Sequence, residues 1–264
     1  RELSIIYSTF TRSDSKEELF KNIQNSDFIY HLAGENRPSD NQQLFECNSG
    51  LTKLVCEGIK KANRNIPILF ASSTQALLKN PYGQSKLAGE RHISQLTEAT
   101  GNPSYIYRLP GVFGKWARPN YNSVVATFCF NICRGLPINI EDERHTIKLV
   151  YIDDVIDHFI DQMFSCEAQN RDCVVQPCYE VTLGDVGGLL RKFQSSRDSL
   201  ITEPVGTGFS RKLYSTFLSY HQKTDISYKI PFHEDSRGIF CEILKTSTCG
   251  QFSYFTAKPG ISRG

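Results

Sequence analysis

The order of apolar runs along the chain constrains its fold more than any other feature. SIIYSTF, DFIYHLAG and IPILFASS are short apolar runs that read as strands; PSYIYRLPGVFG reads as strand and loop, and HTIKLVYIDDVIDHFIDQMF as a strand running into a helix. Between them, SDSKEELFKNIQN, NQQLFECNSGLTKLVCEGIKKAN, NPYGQSKLAGERHISQLTEATG and VVATFCFNICRG read as helices, with Gly101 placed as a stop signal. VIDHFIDQMF follows the last strand as a further helix. Strands that alternate with helices run parallel, and helices then cover both faces of the sheet. That explains why the strand runs are apolar nearly throughout instead of alternating. The expected fold class is α/β, a doubly wound parallel sheet. From about Asp225 the pattern changes to short alternating segments and turns without a helical period, the start of an all-β module. The expected domains are therefore residues 1–222 and 223–264.

Composition narrows the function classes. With 39% hydrophobic and 22% charged residues, the chain has the balance of an ordinary soluble protein able to bury a core. A formal net charge of +2, without basic runs interleaved with aromatics, argues against a nucleic-acid partner. No apolar stretch approaches the roughly 18 residues of a membrane span, and RELSIIYSTFTR has none of the regions of a signal peptide. The nine cysteines are odd in number and scattered, which fits reduced thiols in a cytoplasmic protein; Cys129 and Cys133 read as small core residues. The six histidines are dispersed as well, so no metal site is expected. Arg1 stands where an initiator Met is absent, and the chain is expected to begin mid-protein.

In an open parallel sheet, ligands bind beyond the carboxyl ends of the strands. DFIYHLAG delivers Ala33 and Gly34 there, small residues that let a ligand approach the backbone. IPILFASS delivers Ser72, Ser73 and Thr74. Just after it, Tyr82 and Lys86 enter a helix one turn apart, so that hydroxyls, phenol and ammonium can converge. A tyrosine followed four residues later by a lysine occurs twice in this sequence, and the second pair is Tyr254 and Lys258. That pair lies in a β-like segment with no hydroxyl cluster, where such spacing does not bring the side chains together. The chemistry suited to Tyr82 and Lys86 is proton transfer to or from a sugar or alcohol oxygen. An ammonium near the phenol is expected to lower its pKa, and a serine hydroxyl can hold the substrate oxygen.

These residues resemble the extended short-chain dehydrogenase/reductase family, nicotinamide-dependent enzymes of nucleotide sugars built on a Rossmann-like sheet. The resemblance runs from about residue 3 to 220 through HLAG, ASST, PYGQSK, RLPGVFG and LVYIDDV, in the family's order. It implies Tyr82 as the acid/base, Lys86 as its partner and Ser73 as the hydroxyl, with Ser72 and Thr74 as alternatives. Leu32, Ala33 and Gly34, with Tyr82 and Lys86, are the implied cofactor contacts. Arg12 follows SIIYSTF where such folds read the adenosine ribose, and an Arg there suits the 2′-phosphate of NADP, with NAD possible. Arg108, Asn120, Tyr121, Asn122 and Ser123 fall where the family forms its nucleotide-sugar pocket, and Lys115 and Arg118 can pair with a diphosphate. Asp153 and Asp154 are expected to cap and orient a helix, not to act in catalysis.

HLAGENRP, NPYGQSKLAGE, FGKWARPNYNSVVATF and DSRGIFCEILKT with GQFSYFTAKPGISRG are similar to bifunctional bacterial proteins that join a reductase domain to a cupin-type epimerase domain. The resemblance implies NADPH-dependent reduction of the C4 ketone of a UDP-4-keto-2-acetamido-2,6-dideoxyhexose, for capsule or O-antigen precursors. The Gly-rich first turn that would cradle the pyrophosphate is not in the sequence, and neither is the His-containing metal motif of the cupin. The first strand and that loop are expected to precede Arg1, and the chain alone is not expected to bind cofactor or turn over. A homodimer is the expected assembly, and a UDP-sugar the expected partner. Other readings are an NAD-dependent nucleotide-sugar epimerase and a non-catalytic nucleotide-binding scaffold on the same fold. A 4,6-dehydratase is disfavoured because Gln75, Ala76 and Leu77 supply no carboxylate beside Ser73 and Thr74.

Overall fold

The computed structural model describes residues 4–36, 40–165 and 171–261, which cluster into two compact units. The first unit comprises residues up to Pro110 together with Asp154–Gln176. Its sheet has the order β1 (Ile29–His31), β2 (Ile68–Ser73), β3 (Ser104–Leu109) and β6 (Arg171–Cys173), all parallel. The connections are helices, as the alternating sequence requires: α1 (Lys16–Gln24) precedes β1, α2 (Asn41–Phe45) and α3 (Leu51–Ala62) join β1 to β2, and α4 (Pro81–Thr100) joins β2 to β3. Helix α6 (Ile152–Phe164) belongs to this unit from Asp154 onward.

The core of this unit forms where helix faces meet strands that are apolar throughout. Ile68 and Phe70 of β2, Ile59 of α3, and Ile93 and Leu96 of α4 are all at most 1% exposed and belong to one cluster. Helix α4 is bounded by local chemistry. The Asn80 side chain accepts the Gly83 N–H at 2.7 Å, Pro81 opens the first turn, and Gly101 ends the helix in the left-handed region at φ 74°.

Two expectations change. SIIYSTF is not a strand: residues 4–10 make no ladder among the described residues, and Ile6 and Tyr7 are 100% and 82% exposed. Strand conformation is held by a neighbour's hydrogen bonds, and of this segment Phe10 packs against the core. The single helix expected from Asn41 to Asn63 is interrupted by a π turn at Glu46–Gly50. There Asn48 is turned into the interior and the Thr52 hydroxyl donates to the Asn48 carbonyl at 2.6 Å.

The second unit comprises Gly111–Asp153 and the residues from Pro177 onward. Pro110, which lacks an N–H, separates β3 from β4 (Gly111–Phe113), and β4 joins a different sheet. That sheet has the order β4, β5 (Thr146–Tyr151) and β7 (Cys178–Thr182), with β4 parallel and β7 antiparallel to β5. Helices α5 (Val124–Ile132), α7 (Leu183–Ser199) and α8 (Gly208–Ser219) contribute to its core. Cys129 and Cys133 are part of this packing, and burial pushes both thiols up. The β-rich end is an antiparallel sheet, β8 (Phe232–Asp235), β9 (Gly238–Thr246) and β10 (Gly250–Phe255), as the change in pattern near Asp225 implies. Among the described residues, no helix is long and apolar enough to cross a membrane.

The packing of α4 carries a direct test. Ile93→Ala is expected to lower stability by about 2–4 kcal/mol, because its side chain is fully enclosed, whereas the exposed Gln95→Ala should stay within about 0.5 kcal/mol. Chemical denaturation of the two variants measures the difference, and equal midpoints would contradict the packing described.

Candidate active site

Strand β2 hands its last residues directly to the start of α4. Ser73 ends the strand and caps a 3-10 turn at Thr74–Leu77, its hydroxyl accepting the Gln75 N–H at 3.2 Å. This turn packs tightly on the helix: a Cβ at Gly83 would collide with the carbonyl oxygens of Gln75 and Leu78. The close approach sets Tyr82 near enough to Ser73 for the serine hydroxyl to favour the ionised phenol. Ser72 is used differently, donating to Glu90 Oε1 at 2.5 Å. Of the three candidate hydroxyls, Ser73 is thus the one that acts on Tyr82, and Thr74 lies at the start of the 3-10 turn.

Lys86 follows Tyr82 by one helical turn and is 4% exposed. Its ammonium donates to the Ala71 carbonyl at 3.0 Å and lies 5.2 Å from the centroid of the Phe70 ring. Burial pushes its pKa down to about 8, against the opposing pull of the Glu90 carboxylate. Gly34 borders the same ammonium: a Cβ there would stand 2.7 Å from Lys86 Nζ and 3.2 Å from Asn48 Oδ1. Leu32, Ala33 and Gly34 are all exposed, so the end of β1 presents open backbone beside this group.

A chain of hydrogen bonds ties these parts together. Asn48, in the π turn, accepts the Glu35 N–H at 2.7 Å and donates to the Glu35 carbonyl at 2.8 Å and to Ser85 Oγ at 2.9 Å. Ser85 in turn donates to the Tyr82 carbonyl at 2.8 Å. Thr52 spends its one proton on Asn48, so His31 Nε2 carries the hydrogen of their 2.8 Å contact. Burial first, and the Lys86 charge second, push His31 down to about 3, which leaves the ring neutral.

One electrostatic expectation is corrected. Tyr82 is not lowered by Lys86; burial pushes the phenol above its ordinary value, and the nearby Ser73 hydroxyl opposes that shift. The reason is direction, because the ammonium is turned to Ala71 and towards Gly34. A phenol held protonated at neutral pH is suited to giving a proton, not to taking one.

The remaining sequence candidates fall as follows. Arg12, its side chain 75% exposed, pairs with Glu35 at 2.6 Å. Arg108 of β3 donates through Nε and Nη2 to Glu90, with the closest approach 2.7 Å. Asn120, Asn122 and Ser123 lie in the second unit. There Asn120 adopts φ 55°, its N–H donating to Thr127 Oγ1 at 2.9 Å, and Ser123 caps α5 by accepting the Ala126 N–H at 3.3 Å. Asn122 is exposed. Lys115 pairs with Asp153 at 3.2 Å, and the Arg118 guanidinium stands 5.3 Å from the Tyr121 ring centroid. Asp153 and Asp154 occupy the first turn of α6. Tyr254 is 48% exposed on β10, and Lys258 lies beyond that strand. Arg37 and Pro38 of HLAGENRP, and the final residues 262–264, lie outside the described residues. Sequence reasoning passed over Asn48, Ser85, Glu90 and His31. Glu90 was open to view, since it continues the row of Tyr82 and Lys86 by another four residues.

Residues 1–170 match the NAD dependent epimerase/dehydratase family, and residues 233–264 match a polysaccharide biosynthesis C-terminal domain. The chain is 48% identical over 255 residues to a UDP-2-acetamido-2,6-beta-L-arabino-hexul-4-ose reductase of Pseudomonas aeruginosa strain PA103, covering 97% of this chain and 68% of the relative. A crystal structure of the capsular polysaccharide assembling protein CapF from Staphylococcus aureus superposes with a TM-score of 0.86 at 39% identity, covering 96% of this chain and 69% of that one. The UDP-glucose 4-epimerase of Thermus thermophilus, solved with NAD, shares the fold at a TM-score of 0.66 and 19% identity, covering 78% and 82% of the two chains. With a family match over more than half its length and a relative this similar along nearly all of it, the chain belongs to the NAD dependent epimerase/dehydratase family.

Proposed function

We propose that the protein reduces the C4 ketone of a UDP-4-keto-2-acetamido-2,6-dideoxyhexose in the synthesis of capsule or O-antigen precursors, using NADPH. The observation that carries this reading is a protonated, partly buried phenol beside a hydroxyl at the end of a parallel strand, in a chain 48% identical to a nucleotide-sugar reductase. Tyr82 gives its phenolic proton to the C4 oxygen as that oxygen gains negative charge, and Ser73 holds the oxygen by a hydrogen bond. Lys86, turned away from the phenol, would hold ribose hydroxyls of the cofactor and so order the nicotinamide. The nicotinamide, when bound, supplies the hydride that completes the alcohol at C4.

The residues present fit such a cofactor. Gly34 has no Cβ to fill the space beside Lys86, and the end of β1 is exposed. The Lys86 ammonium has three hydrogens and, among the described residues, one hydrogen-bond acceptor, Ala71, so two donors remain for ribose hydroxyls. Leu32, Ala33, Gly34, Tyr82 and Lys86 would hold it, with Arg12 on the 2′-phosphate. Asn120, Asn122 and Ser123 are proposed for the UDP-sugar, and Arg108 as well, beside its bond to Glu90. Residues 223–264 are read as the start of a cupin-like domain, in keeping with the antiparallel β8–β10 sheet and the family match from residue 233.

In the intact protein, Tyr82→Phe is expected to lower kcat for NADPH oxidation with the 4-keto sugar by about 30- to 1,000-fold, roughly 2–4 kcal/mol, with little change in KM. Steady-state rates measure it, and undiminished turnover would remove Tyr82 from the reaction. Arg12→Ala is expected to raise the KM for NADPH by about tenfold and leave that for NADH unchanged, since a charge-assisted contact to the 2′-phosphate is lost. Equal effects on both nucleotides would place Arg12 outside cofactor choice.

A further inference from the structure

Glu90 is the one acidic member of the row Tyr82, Lys86, Glu90, and nothing in the proton transfer above uses it. It is 4% exposed, a burial that a carboxylate tolerates only when paired and hydrogen-bonded. Both conditions are met from neighbouring strands. Ser72 of β2 donates to its Oε1 at 2.5 Å, and Arg108 of β3 donates to both oxygens, Nε to Oε1 at 3.0 Å and Nη2 to Oε2 at 2.7 Å. Ser72 and Arg108 are themselves register partners in the parallel ladder, so two adjacent strands present one clamp to one helix face. The carboxylate is fixed in place one turn beyond a buried ammonium.

We propose that Glu90, clamped by Arg108 and Ser72, is a positioning residue that keeps Lys86 charged and in place for the reaction at Tyr82. This rests on the reductase reading for its consequence in turnover, but not for its effect on Lys86 itself. Among the described residues, the charged and titratable groups around the pair and its clamp can be named: Arg91 and Glu98 of α4 line one cavity with Glu90 and Arg108. Tyr82 is on the same helix, His31 of β1 is neutral, Arg108 of β3 bears the compensating charge, and Glu35 pairs with Arg12. Asn48, Thr52 and Ser85 add dipoles but no charge. Glu90 is thus the anion that acts on Lys86, opposing the loss of charge that burial favours.

The sign of each perturbation follows. Removing the carboxylate takes away the anion that opposes burial, so Lys86 loses its proton at lower pH. Removing the guanidinium leaves the carboxylate uncompensated, so Lys86 keeps its proton to higher pH. Replacing both by apolar residues of similar size restores neutrality without an orphaned charge. The test is an NMR titration of the Lys86 side chain in the intact protein, for wild type, E90Q, R108Q and E90M/R108M. Starting from a midpoint of about 8, E90Q is expected to fall by about one pH unit and R108Q to rise, with the double variant between them. The alkaline limb of kcat/KM for reduction should move with the midpoint in E90Q. If the midpoints shift as stated but wild type shows no reductase activity, the functional reading fails and the role of Glu90 stands. A merely structural role would change stability and leave the midpoint in place. An unmoved midpoint in E90Q, or shifts of E90Q and R108Q in the same direction, overturns the proposal; should E90Q fail to fold, R108Q and the double variant decide it by the same comparison.

Discussion

The ammonium of Lys86 is almost out of water, and much of the surrounding geometry answers to that. A buried cation is tolerated when it is hydrogen-bonded and balanced by charge. Strand β2 supplies the Ala71 carbonyl at 3.0 Å and the face of Phe70, and α4 itself supplies Glu90 one turn away. Glu90 is buried in turn, and it requires Ser72 and Arg108 to accompany it. One charge thus recruits contacts from the helix and from two adjacent strands. It leaves part of its hydrogen-bonding capacity facing Gly34, where a side chain would block it.

The second tie runs through neutral groups. The Glu35 backbone, the Asn48 amide, the Ser85 hydroxyl and the Tyr82 carbonyl form a continuous series that fastens the segment after β1 to the first turn of α4. The π turn makes this possible, because it turns Asn48 inward while α3 continues from Leu51. The segment that borders the proposed cofactor and the helix that carries the proposed acid are therefore held by the same amide. Preorganisation of this kind spares the reaction the cost of arranging its groups.

Much of this was legible in the sequence. Apolar runs alternating with helical stretches carry the parallel order β1-β2-β3-β6, and the hydroxyl-ended run IPILFASS followed by PYGQSK carries the candidate site. What was not legible depended on tertiary partners. SIIYSTF has strand composition yet no ladder, because composition does not supply a neighbour. The lowering of Tyr82 by Lys86 failed because spacing on a helix does not say where an ammonium points once a backbone carbonyl competes for it. Asn48 gave no signal, since its role exists only through the π turn. Glu90 did give one, in the four-residue spacing, but its clamp required knowing that Ser72 and Arg108 are register partners.

The most direct measurement follows an isotope. The intact protein would be supplied with a UDP-4-keto-2-acetamido-2,6-dideoxyhexose and NADPH deuterated at the transferable C4 position of the nicotinamide, and the product sugar examined by NMR and mass spectrometry. Reduction with Tyr82 as proton donor requires one deuterium at sugar C4 for each NADPH oxidised, with the hydroxyl proton drawn from solvent. Recovery of the sugar without label, with the nucleotide returned unoxidised, would contradict it.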